Sequence, residues 1–452
     1  MKHFDLSGQK VAVVGLGISG LAAVELAIRA GATCTAIDSK TEQALGDIAL
    51  RVRQTGANLQ AAQTDPDLSH FDLVVVSPGV PPLSCLERAT QQGVEVIGEV
   101  EFAVRGLKPG TPIVAIGGTN GKSTVTSLYG AVAEKVWPRV FVGGNLGEPL
   151  AAHAHKDWDL IVLEVSSFQM ERVRDFAPRV AVLLNITDDH LDRYPDFAAY
   201  AQAKGNAFAR QSSSDLAVCI SQDEVVEAQA SRGAARMVLF GTEGDVRVTR
   251  EGVLDTRDGA FYQTKDIRLQ GLHNLANVAA VVAGARDLGV SSDVLRQVFS
   301  SFEGLPHRTS FVRELQGVRY YDDSKGTNVG ASVTAVRGLM ESRVVLIAGG
   351  RDKGGSYAPL MESLRERGRA LIAIGEAAEL IVDAAEELSL SMPVMRAASM
   401  HDAVQLAQRA AEPGDAVLLS PACSSFDMYK SYKERGDDFC AEVRALVDGA
   451  ES

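Results

Sequence analysis

Positive charge is in short supply. Across 452 residues, 45 lysines and arginines face 58 aspartates and glutamates, a formal net charge of −13. Such a surface repels a polyanion, which excludes general electrostatic binding of nucleic acid but leaves room for phosphorylated small molecules wherever cations gather locally. Cysteine is also scarce. The five cysteines (positions 34, 85, 219, 423 and 440) are odd in number and form no C-x-x-C pair. They read as reduced thiols of a cytoplasmic protein rather than a disulfide framework. Long apolar runs are nearly absent: residues 11–28 carry only Glu25 as a charge, but glycines and a serine interrupt them at 15–20. With no basic segment ahead beyond Lys2 and Lys10, this stretch reads as a buried strand entering a helix, so no membrane partner is expected. There is no internal repeat and no low-complexity tract.

What remains is a normal globular balance, 46% hydrophobic and 23% charged. The length fits about three domains. Short apolar runs fall at 10–14, 33–37, 72–77, 112–116, 158–164, 179–186, 343–348, 371–374 and 416–420. Helical patterns at 19–30, 122–135, 274–288 and 402–411 lie among them. Strands alternating with helices predict an α/β chain with parallel sheets. Turn-rich stretches at 106–112 and 303–308 divide it into blocks 1–99, 100–305 and 306–452. Residues 241–270 break the rhythm and predict a small side sheet of the middle block.

Two glycine-rich turns carry the first chemistry. VAVVGLGISG at 11–20 has the G-x-G-x-x-G spacing, with Asp38 at the distance of a ribose contact. Alone, this turn also suits a nicotinamide-dependent dehydrogenase. PIVAIGGTNGKSTVTSL at 112–128 is a strand, a turn and a helix start. Backbone N–H groups of such a turn approach phosphate oxygens, Lys122 adds a compact cation, and Ser123 suits Mg2+. The strict G-x-x-x-x-G-K-[ST] pattern is not met, because Ile116 holds the first position and the glycine falls at 117. WDLIVLEVSSF then ends a strand on Glu164, a carboxylate costly to bury unless paired or metal-bound. VAVLLNITDDHLDRY delivers Asp188, Asp189, His190 and Asp192, ligands that fit Mg2+ or Mn2+. A P-loop regulatory ATPase would explain this middle block and no other. In the last block Lys325, Lys353 and Ser425 follow three strands and together make a pocket for a small anion. Asn274 reads as a helix N-cap.

In order along the chain, GxGxSG, GTNGKST, LEVSSFQ, DDHLDRY, LHNxxN, GLPHR, DDSKGTN and LLSPACSSFD resemble the Mur ligase family, which forms amide bonds at the expense of ATP. The P-loop variant is shared with folylpolyglutamate synthetases, which are not expected to need the first block. GLGISGLA, DDSKGTN and SPACSSFDMYKSYKERG are similar to the branch that adds D-glutamate to UDP-N-acetylmuramoyl-L-alanine, and the D-N-P-R string of the meso-diaminopimelate branch is absent. The resemblance implies a Rossmann-like N-terminal domain, a P-loop-type central ATPase domain and a Rossmann-like C-terminal domain. It implies ATP contacts from Gly118, Thr119, Asn120, Gly121, Lys122, Ser123, Thr124, Asn274, Asn277, Arg308 and Asp323. Ser123, Glu164, His190 and a carbamylated Lys204 would serve two Mg2+ ions, with Mn2+ an alternative. Gly17, Ile18, Ser19, Asp38, Ser39, Ser77, Gly79 and Asn145 would hold the UDP-sugar, and Lys325, Thr327, Lys353, Ser425 and Tyr432 the D-glutamate. A cytoplasmic monomer is expected, hinged near 303–310.

Overall fold

In a computed structural model of the chain, which describes residues 4–189, 193–269 and 271–447, the β-branched runs become the central strands of three sheets. Val11, Ala12 and Val13 are 0% exposed, as are Val114 and Ile116. Full burial of one such valine or isoleucine stabilises by about 1.5–3 kcal/mol, so these strands fix the frame from which the loops project.

The first sheet has five parallel strands in the order Asn58–Gln60, Thr33–Ile37, Lys10–Val14, Leu73–Val76 and Glu95–Gly98. The chain winds outward from Lys10–Val14 on one side and returns to Leu73–Val76 on the other. A crevice opens where the winding reverses, at the C-terminal ends of those two strands.

The second sheet has nine strands: Ala260–Gln263, Gly252–Asp255, Val246–Val248, Arg236–Gly241, Leu216–Ile220, Val180–Leu183, Ile113–Gly117, Leu160–Glu164 and Val140–Gly144. Its first three strands correct one expectation. Residues 241–270 do not make a separate side sheet, because Phe240 and Gly241 pair in parallel with Val246 and Arg247 and carry the sheet onward. The third sheet runs Ser310–Leu315, Val318–Asp322, Ala416–Leu419, Val344–Gly349, Gly368–Ile374 and Val394–Ala397. Only its first pair is antiparallel among the registers seen in it.

Contacts group the chain into two units: residues up to Arg247 with 255–260 and 279–295, and residues 248–254, 261–278 and 296 onward. Within the first unit, the helix Glu99–Arg105 is pinned by two buried carboxylates. Glu99 accepts the Ala151 N–H at 3.1 Å, and Glu101 accepts those of Arg174 and Asp175 at 3.0 and 3.2 Å. Burial pushes the Glu99 carboxyl up to about 7. Among the described residues no helix is long and apolar enough to cross a membrane.

Candidate active site

The strand Ile113–Gly117 ends in the glycine turn, and the helix Lys122–Ala133 begins at Lys122. Gly121 precedes that helix with φ +84 and offers no capping side chain. The first N–H groups of the helix therefore face outward with the positive end of its dipole, an arrangement suited to anions. Asn185 braces the turn from the neighbouring strand. Its Oδ1 accepts the N–H groups of Thr119 and Asn120 at 3.1 and 2.8 Å, while its Nδ2 donates to the Asn120 carbonyl at 3.1 Å. Thr119 faces inward: its hydroxyl meets Tyr200 Oη at 3.0 Å and accepts the Thr187 N–H at 3.0 Å. Lys122 Nζ donates to the Thr119 carbonyl at 2.8 Å, folding the cation over its own loop. Ser123 and Thr124 are buried in the first turn.

Glu164 lies level with Ile116 on one side and Gly144 on the other, which sets its carboxylate beside the turn. It is 2% exposed. Oε1 accepts from Asn145 Nδ2 at 2.7 Å, and Oε2 is buried with no hydrogen-bond partner among the described residues. An orphaned carboxylate oxygen is expensive in a protein interior, and a divalent cation removes that cost. These residues fit Mg2+, a hard ion that takes oxygen ligands. Among the described residues no group of three or more His, Cys, Asp or Glu forms a metal cluster. His190 and Asp192 lie outside the described residues.

Lys204 sits near the end of the helix Phe197–Gly205, which Asp196 caps by accepting the Ala199 N–H at 2.8 Å. The lysine is 5% exposed. Its Nζ donates to the Gly118 carbonyl at 2.7 Å and lies 4.6 Å from the centroid of the Tyr200 ring. Burial, and next the charge of Lys122, hold this amine well below the ordinary lysine range, against a smaller opposing pull from Asp189. The neutral amine, a nucleophile, is thereby favoured.

A cavity of about 670 Å³ occupies the crevice of the first sheet. All eight residues expected to hold the sugar nucleotide line it: Gly17, Ile18, Ser19, Asp38, Ser39, Ser77, Gly79 and Asn145. Gly20 permits the tight turn there, since a Cβ would lie 1.9 Å from the Gly15 carbonyl oxygen. Asp38 also serves the loops around the cavity. Its oxygens accept the N–H groups of Leu16 and Lys40 at 2.6 and 2.8 Å, bracing the glycine turn itself. Ser77 likewise donates to the Gly15 carbonyl at 2.6 Å. Asn145 connects this cavity to Glu164.

The second unit holds the remaining candidates: Asn274 and Asn277 on the helix Leu272–Asp287, and the others in segments around the third sheet. Lys325 Nζ stands 4.3 Å from the centroid of the Tyr432 ring, and Lys353 Nζ donates to Thr327 Oγ1 at 3.4 Å. Ser425 is buried in the turn after Ala416–Leu419. Asn277 Nδ2 donates to Asn274 Oδ1 at 3.0 Å. Asp323 accepts from Ser420 Oγ at 2.6 Å and the Thr309 N–H at 3.1 Å, and burial pushes its carboxyl up to about 7. The residues expected around ATP are thus divided, with Gly118–Thr124 in the first unit and Asn274, Asn277, Arg308 and Asp323 in the second.

One residue without a forecast role organises this end. Arg435, 2% exposed, donates to Ser324 Oγ at 3.0 Å and to the carbonyls of Ser324, Cys423 and Ser424 at 2.9, 3.2 and 3.3 Å. No carboxylate shares its charge in these bonds, and burial lowers the guanidinium to about 10. A lone arginine before a glycine has no sequence signature that marks such a hub.

Three family models match successive parts of the chain. The Mur ligase middle domain matches residues 116–285, the Mur ligase glutamate ligase domain 307–423, and the MurD-like N-terminal domain of Mur ligases 9–98. A UDP-N-acetylmuramoylalanine–D-glutamate ligase of Desulfosudis oleivorans is 42% identical, with 99% of each chain covered. Its counterpart in Geotalea daltonii is also 42% identical, over 98% of this chain and 99% of its own. The crystal structure of MurF ligase from Thermotoga maritima in complex with ADP has a TM-score of 0.61 at 17% identity, covering 91% of this chain and 95% of its own, a likeness of fold. The chain belongs to the Mur ligase family.

Proposed function

We infer that the chain is an ATP-dependent ligase that adds D-glutamate to UDP-N-acetylmuramoyl-L-alanine in peptidoglycan precursor synthesis. The bond from Asn145 to Glu164 supports this most directly. One asparagine both lines the cavity and holds the buried carboxylate beside the glycine turn. A sugar nucleotide with its pyrophosphate on the Gly15–Gly20 turn then extends its alanine carboxylate toward the phosphate site. A folylpolyglutamate substrate has no use for such a cavity, and hydride transfer has none for the second glycine turn.

The first block reads as a Rossmann-like domain over 1–99, the centre as a P-loop-type domain over 100–305, and the last block as a Rossmann-like domain over 306–452. In the reaction, a carboxylate oxygen of the substrate attacks the γ-phosphorus of ATP and the bond to ADP breaks, giving an acyl phosphate. The amine of D-glutamate then attacks the acyl carbon. The tetrahedral intermediate loses phosphate, and the amine's proton leaves to solvent. Lys122 and the N–H groups of the turn neutralise charge gathering on the transferred group. Mg2+, held by Ser123 and Glu164, supplies further charge neutralisation when bound. A carbamate on Lys204 would give that residue an anionic end suited to a divalent cation. Asn274, Asn277, Arg308 and Asp323 are further ATP contacts in this reading. Lys325, Thr327, Lys353, Ser425 and Tyr432 take the two carboxylates of D-glutamate. The protein acts as a cytoplasmic monomer on these small molecules.

ADP release from ATP tests the assignment. It should require both UDP-N-acetylmuramoyl-L-alanine and D-glutamate, with L-glutamate at least about 100-fold slower. Equal ADP release with L-glutamate would overturn the choice of amino acid.

A further inference from the structure

Tyr357 precedes the helix Ala358–Arg367 as its N-cap residue and is 7% exposed. Its hydroxyl has one proton and two polar neighbours, Asp352 Oδ1 at 2.6 Å and Cys423 Sγ at 3.1 Å. A carboxylate only accepts, so the hydroxyl donates to Asp352 and the thiol donates to the phenolic oxygen. Burial keeps that thiol protonated by pushing it up to about 11.

Each partner belongs to a different arm of the same pocket. Asp352 precedes Lys353, and its Oδ2 accepts the Gly354 N–H at 2.9 Å, so the carboxylate grips the chain on both sides of that lysine. Cys423 stands two residues before Ser425. The arms meet again where the Arg351 N–H donates to the Ser424 carbonyl at 2.9 Å and the Ser424 N–H donates to the Arg351 carbonyl at 3.1 Å. Backbone pairing fixes the distance between the arms. The Tyr357 hydroxyl adds a tie between a side chain of each arm, Asp352 beside Lys353 and Cys423 near Ser425.

We propose that Tyr357 is a positioning residue for the amino-acid substrate: its hydroxyl, bonded to Asp352 and Cys423, holds Lys353 at a set place relative to Ser425. It touches no reacting atom. The inference rests on the reading of Lys353 and Ser425 as the amino-acid pocket.

Tyr357→Phe keeps the ring and removes the hydroxyl. The expected result is a KM for D-glutamate raised about tenfold, with kcat and the KM values for ATP and the sugar nucleotide each changed less than about threefold. Ser363→Ala serves as the structural control, because it removes a buried hydroxyl from the same helix that bonds only the Leu360 carbonyl, at 2.7 Å. It should lower Tm without moving the KM for D-glutamate. Should Tyr357→Phe fail to fold, Asp352→Asn weakens the same tie from its other side and should raise the same KM. An unchanged KM for D-glutamate, or a rise shared equally by all three substrates, overturns the proposal. The functional reading is tested separately: it fails if the unaltered enzyme shows no saturable response to D-glutamate.

Discussion

Lys122→Ala is expected to slow ADP release roughly 10²–10³-fold while leaving the fold intact, the largest effect predicted for any single side chain of the glycine turn. The reason is geometric. The turn offers N–H dipoles and a helix terminus, but Lys122 is its one full positive charge, carried on the first residue of the helix. Its bond to the Thr119 carbonyl shows that Nζ reaches back over the turn, where terminal phosphate oxygens would lie. That bond is to a neutral carbonyl, and exchanging it for a charged phosphate oxygen gains a stronger, charge-assisted contact. The side chain is only half-buried, so its truncation leaves no large cavity. Steady-state ADP release and a thermal melt, run side by side, check both halves. A variant that melts normally and turns over near the original rate would remove Lys122 from the phosphate site.

The second large effect belongs to Lys204. Lys204→Ala is expected to lose at least about 10²-fold in kcat, and short carboxylates such as formate or acetate should restore part of it. The side chain is buried against Tyr200 and the Gly118 carbonyl, a poor place for an ammonium ion. Burial, and next the charge of Lys122, hold this amine well below the ordinary lysine range, which favours its neutral form. That neutral amine adds to CO2, forming an N–C bond and releasing one proton, and becomes a carboxylate-like carbamate anion. The direction of the pH effect follows. Acidification protonates the amine and reverses the addition, so activity of the unaltered enzyme should fall on the acid side and fall further in CO2-free buffer. An added carboxylate replaces the missing anion in the alanine variant only if an anion is what the site requires. Full activity in Lys204→Ala would end the carbamate proposal, and absence of rescue would leave the lysine as a brace for Gly118.

Where a signal was strong in the sequence, its cause was burial on both faces. The runs ending at Val14, Gly117 and Leu419 are continuous because their strands lie inside parallel sheets, with no alternation to break them. The strands Val140–Gly144 and Ser310–Leu315 escaped notice for the opposite reason. Val140–Gly144 alternates between buried and more accessible positions, and Ser310–Leu315 is buried only at Leu315, so no apolar run marks either. Glycine turns announced phosphate chemistry because the backbone needs glycine there. Side chains that brace backbone carry no such mark, and Asn185 and Arg435 act through bonds to loops that only folding brings near. Asp38 and Thr119 illustrate a subtler limit. Asp38 accepts the Leu16 N–H group, and the Thr119 hydroxyl meets Tyr200 and Thr187, bonds between segments that only folding brings together.

The GxGxxG turn at 15–20 fits a pyrophosphate regardless of what is attached to it, so the cavity beside it does not by itself distinguish ligation from redox chemistry. The central claim is that the alanine carboxylate of the sugar nucleotide takes the γ-phosphoryl group before D-glutamate attacks. Labelling both oxygens of that carboxylate with 18O tests it most directly. Inorganic phosphate released during turnover with ATP and D-glutamate should carry one 18O atom, the other remaining in the amide carbonyl. Phosphate free of label, formed in step with amide, would contradict the account.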